Sequence, residues 1–303
     1  HKEWGGKIEV KGLESTVNEV FSWIPKTTAG KVNVLLLVSA LGWGLGYFGQ
    51  PHILSRFMAI RSPKEVQPAR IIAMVWVIIT LAAAVLIGAL GKIYVEAGMV
   101  PEHYMEMVNG DNEKIFMVLV QTIFGSSGNI FMIILSGVFL TAILAAIMST
   151  ADSQLLVTAS TFGEDLYHLF SRKQPSSDKL VRISRYAVLV IAIIAMLISL
   201  DQDSSVFDLV SMAWGGFGAA FGPCILFSLY YRKMTAPAAI AGVLTGGIVD
   251  IVWYFLQGGI FDVYELVPAF VISSLVIIIV SLFTKCPKSV TDQYDRAQTL
   301  EIE

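Results

Sequence analysis

Seven long apolar segments restrict what this chain can fold into. Each is long enough for a helix to cross the ~30 Å hydrocarbon core of a bilayer, which takes roughly 20 residues. They lie near residues 33–55, 70–93, 129–151, 181–200, 206–231, 236–257 and 265–284. The alternating segments of about 10 residues that are typical of a membrane β-barrel do not occur in the sequence. The pattern therefore predicts an all-α membrane protein with about seven transmembrane helices.

The composition supports a membrane protein and disfavours several other classes. The chain is 55% hydrophobic and only 15% charged, whereas soluble domains carry about 25% charged residues. Its formal net charge of −3 gives no sign of a nucleic-acid partner. The sequence contains no HExxH, GxSxG or phosphate-binding loop, so an enzyme is not expected. Its two cysteines and four histidines lack metal-ligand spacing, so no cofactor is expected.

Basic residues predict the orientation in the membrane. They collect in the connections after the first, third and fifth spans and in the tail: Arg56, Arg61, Lys64, Arg70, Arg172, Lys173, Lys179, Arg182, Arg185, Arg232, Lys233, Lys285, Lys288 and Arg296. Because Lys and Arg are enriched in cytoplasmic loops, the tail at 286–303 and the C-terminus are expected to be cytoplasmic. Residues 1–32 are then an extracytoplasmic loop segment, although they contain five lysines.

Two further expectations concern the ends and loops of the chain. The sequence begins at His1 inside a polar segment and has no initiator Met. We therefore expect it to be the C-terminal part of a longer protein. Short helices are predicted in outer loops at 8–25 and 112–124, either as lids or as interfacial helices.

The stretch GWGLGYFGQPHIL, at 42–54, predicts a break in the first span. Gly costs about 1 kcal/mol and Pro about 3 kcal/mol in a helix interior. Irregular backbone at membrane depth is tolerated where it is buried in protein or lines a cavity. Trp43, Tyr47 and Pro51 are each four residues apart, so they can wall a pocket for a small solute. The alternative is a glycine-packed helix contact with interfacial aromatic residues.

The stretch LTAILAAIMSTADSQLL, at 140–156, carries a polar stripe. Ala146, Ser149 and Thr150 share one helix face, where hydroxyl and carbonyl oxygens can hold a hard monovalent cation such as Na⁺. The same hydroxyls can instead bond to their own helix. Asp152 and Ser153 continue the stripe as a possible ion path, and the alternative for Asp152 is a hydrated position in the cytoplasmic half.

The stretch SMAWGGFGAAFGP, at 211–223, is rich in glycine and ends in a proline. It suits either a gating hinge at Pro223 or tight helix packing. Asp250, in the sixth span, lies toward the outer end and is expected to snorkel to the surface.

Together these three stretches resemble the sodium/solute symporters, and within them the sodium/proline group, over about residues 33–285. The resemblance implies a LeuT-type fold of two inverted five-helix repeats. Residues 33–231 would be the second inverted repeat, core helices six to ten, and 232–285 two additional C-terminal transmembrane helices. The first repeat, the N-terminal half of the same protein, is missing from the chain and would complete both sites.

The resemblance also implies a function and assigns residues to it. It suggests Na⁺-coupled uptake of L-proline across a bacterial inner membrane, with Na⁺ as coupling ion. The Ala146 carbonyl and the Ser149 and Thr150 hydroxyls are similar to the family's sodium ligands. Trp43, Tyr47 and Pro51 are similar to substrate-site residues. Another solute (pantothenate, another amino acid or a sugar), a channel or a membrane sensor remain as alternatives.

Overall fold

A computed structural model of the chain describes residues 32–162, 177–200 and 205–299, and every element assigned within these ranges is helical. The predicted helix at 8–25 and nearly all of the predicted loop segment 1–32 lie outside the described residues.

Eleven α-helices and several short 3₁₀ or π turns make up the described part of the chain. The α-helices are α1 (Val34–Gly42), α2 (Pro51–Met58), α3 (Val66–Glu96), α4 (Glu102–Gly110), α5 (Ile115–Val120), α6 (Ile130–Ser160), α7 (Ser177–Ile198), α8 (Val206–Tyr230), α9 (Ala236–Tyr254), α10 (Leu266–Phe283) and α11 (Lys288–Thr299). A 3₁₀ segment, Trp43–Gly49, joins α1 to the residue before α2.

The predicted set of membrane spans is confirmed. In the described residues, six helices are long and apolar enough to cross a membrane, namely α3 and α6 to α10. The pair Val34–Gly49 and Pro51–Met58, bent by 48°, passes the same test when taken together and, counted as one broken span, is the seventh. The helix α6 ends at Ser160, past the predicted end at 151, because the apolar residues 155–157 continue the helix after Asp152 and Ser153.

The described chain divides into two compact units, of which the first comprises residues 65–152. Its core contains the buried side chains of Val100, Val108 and Val118. The predicted helix at 112–124 is present as α5 with a 3₁₀ turn before it and a π turn after it. The Asp111 side chain caps the start of this segment by accepting a hydrogen bond from the Glu113 N–H at 2.8 Å.

The second unit comprises residues 32–64 and 153–299 of the described part, and its core is formed mainly by α8, α9 and α10. Buried small residues allow these helices to approach closely. A Cβ on Gly246 would overlap the backbone of Ala219, and one on Gly242 would overlap the Ile277 side chain. The helix α8 runs through Pro223 without interruption. Close packing therefore accounts for Gly218 and Gly222, which are buried against neighbouring segments.

The predicted cytoplasmic tail contains the helix α11. Arg232, in the connection between α8 and α9, donates to both carboxylate oxygens of Asp295 at 2.8 and 2.6 Å. This bidentate pair lowers the pKa of Asp295 through the Arg232 hydrogen bond. Both side chains are about half exposed, so the pair positions α11 more than it stabilises the fold.

Candidate functional site

The predicted break in the first span is confirmed, and it centres on Gln50. The chain follows a 3₁₀ helix from Trp43 to Gly49, becomes extended at Gln50 (φ −78°, ψ 115°), and restarts as α2 at Pro51. Proline suits the first position of a helix because its fixed φ fits and its missing N–H is not needed there. The composition of this stretch therefore agrees with the end of one helix at Gly49 and the start of the next at Pro51.

Gln50 connects the break to α8. Its side chain is only 4% exposed, and its amide nitrogen donates to the Gly46 carbonyl at 3.3 Å and to the Trp214 carbonyl at 3.1 Å. The side-chain amide carries two N–H donors, and both are used. One side chain thus satisfies a carbonyl on each side of the contact, which irregular backbone in a membrane requires.

Trp214 makes the reciprocal connection from α8. Its indole N–H donates to the Trp43 carbonyl at 3.0 Å, across 171 residues of sequence. The indole lies directly against Gly46, where a Cβ would overlap it. Gly49 similarly contacts the backbone of Phe217 and Gly218. The glycine-packed contact considered from the sequence is therefore present on this face of the break.

Aromatic side chains surround the same contact. The Trp43 ring stacks with Phe207, Trp214 and Tyr264 at centroid distances of 5.6, 5.6 and 5.8 Å. The Tyr47 ring meets Trp214 edge-on at 4.7 Å. We call these five residues the aromatic cluster. Offset-stacked and edge-to-face arrangements of this kind are the favoured ones for aromatic pairs.

The predicted substrate residues differ in how accessible they are. Trp43 is half-buried, with its ring engaged in the aromatic cluster, whereas Tyr47 is 49% exposed. Pro51 is half-buried at the start of α2. The structure thus brings Trp43 and Tyr47 together around Trp214. Their role in substrate binding stays a prediction.

Sequence reasoning missed three members of the aromatic cluster. Phe207, Trp214 and Tyr264 lie far from the break in sequence, on α8 and immediately before α10. A signal was available for Trp214, because it is a large side chain within the small-residue run AWGGFGAA. Such a ring can be accommodated at a close helix contact only if the facing segment also has small residues. No comparable pattern marked Phe207 or Tyr264.

The predicted cation residues lie on one exposed face of α6. Ala146, Ser149 and Thr150 are all exposed. The Thr150 hydroxyl donates to the Ala146 carbonyl at 3.3 Å, which is the bond to its own helix that the sequence left open. This bond places two of the three predicted oxygen ligands side by side. Binding of Na⁺ here stays a prediction.

The predicted ion-path residues follow on the same helix. Asp152 is exposed, and Ser153 is half-buried. The Arg56 guanidinium donates to the Ser153 hydroxyl at 3.3 Å. Within the described ranges no group of three or more His, Cys, Asp or Glu side chains gathers in a way that could hold a metal ion.

The expectation that Asp250 snorkels to the surface is wrong. Asp250 is only 3% exposed. Its two carboxylate oxygens lie over Gly215 and Gly216 of α8, at 3.0 and 3.5 Å from the positions that Cβ atoms would occupy there. The space left by two adjacent glycines on the neighbouring helix accommodates the carboxylate inside the unit.

Comparisons with known proteins are consistent with this architecture. The sequence model of the sodium:solute symporter family matches residues 7–246. The osmoregulated proline transporter OpuE of Bacillus subtilis is 45% identical over 258 residues, which are 84% of this chain and 49% of that protein. The high-affinity proline transporter PutP of the same organism is 44% identical over 269 residues, 88% of this chain and 53% of that protein.

A third relative extends the pattern to another bacterium. The sodium/proline symporter of Escherichia coli is 42% identical over 260 residues, 85% of this chain and 49% of that protein. The chain spans about half the length of the curated relatives it matches. No solved structure matches it. With the family match covering most of the chain, and with a broken helix packed against a glycine-rich span, the chain belongs to the sodium:solute symporter family.

Proposed function

We propose that this chain is part of a sodium-coupled symporter that imports L-proline by alternating access. The observation that carries the proposal is the broken span, whose Tyr47 side chain is exposed beside Trp43 and Trp214. Relatives at 42–45% identity that are named proline transporters support the substrate.

The break suits a small zwitterion. The 3₁₀ segment ends in backbone carbonyls, while α2 begins with the positive end of its helix dipole at Pro51. Half-helix ends of this kind bind the charged groups of amino-acid substrates and coupling ions in transporters with discontinuous helices. An imino acid offers one charge for each end, and its apolar ring can pack against the phenol of Tyr47.

Sodium is assigned to α6. The Ala146 carbonyl and the hydroxyls of Ser149 and Thr150 supply three neutral oxygens, and further ligands are assigned to the N-terminal half of the same protein. Thr150 must release its bond to Ala146 or turn its proton aside when Na⁺ binds. The stripe through Asp152 and Ser153 then offers the ion a hydrated path to the cytoplasm.

The location follows from the same proposal. We place the protein in a bacterial inner membrane as a multi-pass protein with a cytoplasmic C-terminus. The Arg and Lys residues that follow α2, precede α7 and separate α8 from α9 support this orientation.

Uptake of labelled L-proline tests the proposal. The full-length protein that contains this sequence is reconstituted into liposomes and given an inward Na⁺ gradient, with a K⁺ gradient as control. We expect accumulation only with Na⁺, and unlabelled proline but neither pantothenate nor glucose should compete. Competition by pantothenate or glucose would assign another solute. Currents far above carrier turnover would indicate a channel instead.

A further inference from the structure

Asp250 is a buried carboxylate with an unsatisfied oxygen. It lies on α9 and is 3% exposed, and its Oδ1 has no hydrogen-bond partner in the described part of the chain. Such a group is unusual, because buried polar atoms nearly always have a partner and an isolated buried charge is costly. The surroundings of Asp250 therefore require an explanation.

Three side-chain oxygens from two segments converge at Gly215. Asp250 Oδ1, the Tyr264 hydroxyl and Glu265 Oε1 lie 3.0, 3.3 and 3.4 Å from the position that a Cβ on Gly215 would occupy. Gly215 itself is buried in α8. All three oxygens thus border the position that a side chain on Gly215 would occupy.

The three converging oxygens are all acceptors as they stand. The Tyr264 hydroxyl donates its only proton to the Ser211 carbonyl, at 2.7 Å. Burial raises the pKa of Tyr264, so the phenol keeps that proton at neutral pH. Ionised Asp and Glu have no proton to donate. A positive species is therefore needed between them.

No basic side chain in the surrounding sequence supplies that charge. Lys, Arg and His are absent from 205–231 and from 234–284, which contain α8, α9, α10 and the connection before α10. They are also absent from 33–51, which contains α1 and the 3₁₀ segment. Ionisable side chains on these elements are acidic residues, tyrosines and one thiol: Tyr47, Asp208, Cys224, Tyr230, Tyr231, Asp250, Tyr254, Asp262, Tyr264 and Glu265.

A proton fits the site better than a metal ion. Ca²⁺ and Mg²⁺ take six or more oxygen ligands, and the site offers two carboxyl groups and one hydroxyl. Two carboxyl groups that share a site cannot both ionise readily, so one keeps a proton. Burial raises the pKa of Glu265, which agrees with a shared proton.

We propose that Asp250 and Glu265, with Tyr264, form a proton-binding site in which the two carboxyl groups hold one proton between them at neutral pH. The shared proton supplies the missing donor and joins α9 to the start of α10. Tyr264 also stacks on Trp43, so loss of the proton would disturb the aromatic cluster.

Labelling with dicyclohexylcarbodiimide tests the site without any transport assay. The carboxylic acid oxygen adds to the central carbon of the carbodiimide while the acid proton moves to its nitrogen, so only a protonated carboxyl reacts. The purified full-length protein in detergent is labelled at several pH values with and without Na⁺, and the modified peptide is identified by mass spectrometry. We expect label on Asp250 or Glu265, falling about tenfold per pH unit above the titration of the pair.

Variants and sodium separate the possible outcomes. The double variant Asp250→Asn/Glu265→Gln should abolish the label at the site, whereas Asp208→Asn, an exposed acid on α8, should leave it unchanged. Absence of label at every pH would overturn the proposal. Protection by Na⁺ at constant pH would also overturn it and would indicate a sodium site.

An infrared measurement keeps the proposal testable where a variant fails to fold. The wild-type protein should show the C=O stretch of a protonated carboxylic acid at neutral pH, and the double variant Asp250→Asn/Glu265→Gln should lack it. A spectrum without this band in the wild-type protein would contradict a shared proton. Neither readout depends on the identity of the transported solute.

Discussion

At the scale of single residues, Tyr47 and Trp43 differ in how firmly their rings are packed. Trp43 is held by three aromatic neighbours, so it can shape the site but has little freedom to move. Tyr47 touches Trp214 by one edge and is 49% exposed. Its free surface is available to a solute.

Replacement of Tyr47 tests this difference. We expect Tyr47→Ala to raise the KM for proline about tenfold, equivalent to about 1.4 kcal/mol, because the apolar wall of the site is lost. Tyr47→Phe should lose less, since the ring remains. Phe57→Ala, at an exposed aromatic residue on α2, serves as the control. An unchanged KM for proline in Tyr47→Ala would show that Tyr47 does not contribute to the substrate site.

Thr150 and Ser149 allow a separate test of the ion site. Thr150→Ala and Ser149→Ala should raise the Na⁺ concentration for half-maximal proline uptake by about tenfold or more, because each removes an oxygen ligand. Thr141→Ala is a matched control, because the Thr141 hydroxyl makes the same bond to a carbonyl four residues earlier on α6. If Thr141→Ala raised the half-maximal Na⁺ concentration equally, the change would be due to a general effect on α6 and not to loss of a Na⁺ ligand.

The raised pKa of Glu265 predicts that the stability of the folded protein depends on pH. Burial raises its pKa above the ordinary value of 4.5, so above that pH the unfolded chain releases a proton that the folded protein retains. The free energy of unfolding should therefore fall as the pH rises from 4.5 to the raised pKa, and then level off. Thermal unfolding in detergent should show this decline in the wild-type protein but less of it in Glu265→Gln. A decline of equal size in both proteins would exclude Glu265 as its source.

At the scale of elements, glycines decide where helices meet. Gly44 and Gly49 both lie in the 3₁₀ segment, yet their surroundings are opposite. A Cβ on Gly49 would overlap the Phe217 carbonyl, whereas nothing lies within 4 Å of a Cβ on Gly44. The contact with α8 therefore depends on one of these glycines and not on the other.

This contrast gives a matched pair of variants. Gly49→Ala should lower the yield of folded protein and its thermal stability, by about 1–3 kcal/mol, because backbone must move to admit the methyl group. Gly44→Ala should be neutral or slightly stabilising, since Ala restricts the unfolded chain. Thermal unfolding of the two purified variants compares them directly. Equal stability would contradict the close contact between Gly49 and α8.

The sequence was informative about elements where the signal was local. Gly and Pro at 42–51 act on their own backbone, so the break could be predicted without knowing its partner. Apolar length likewise defined the seven spans. The bond from Trp214 to the Trp43 carbonyl spans 171 residues, and no local pattern encodes such a pairing. Asp250 was misjudged for the same reason, because the glycines that make room for it lie on another helix.

At the scale of the whole molecule, the proposed sodium coupling predicts that transport responds to membrane voltage. One net positive charge moving inward gains about 2.3 kcal/mol per 100 mV of inside-negative potential. In liposomes loaded with K⁺, valinomycin should therefore increase initial Na⁺-dependent proline uptake by the full-length protein. Dissipating the potential with external K⁺ is the control. An initial uptake rate that is the same with and without the potential would mean that no net charge crosses the membrane with proline.

The aromatic cluster has an optical consequence. Two of the six tryptophans, Trp43 and Trp214, stack at 5.6 Å with ring planes 11° apart. Indoles this close influence each other's excited states, so their fluorescence and near-ultraviolet circular dichroism depend on the distance between the break and α8. The protein thus contains an intrinsic reporter, and a spectral change on adding proline would register movement of these two segments without any attached dye.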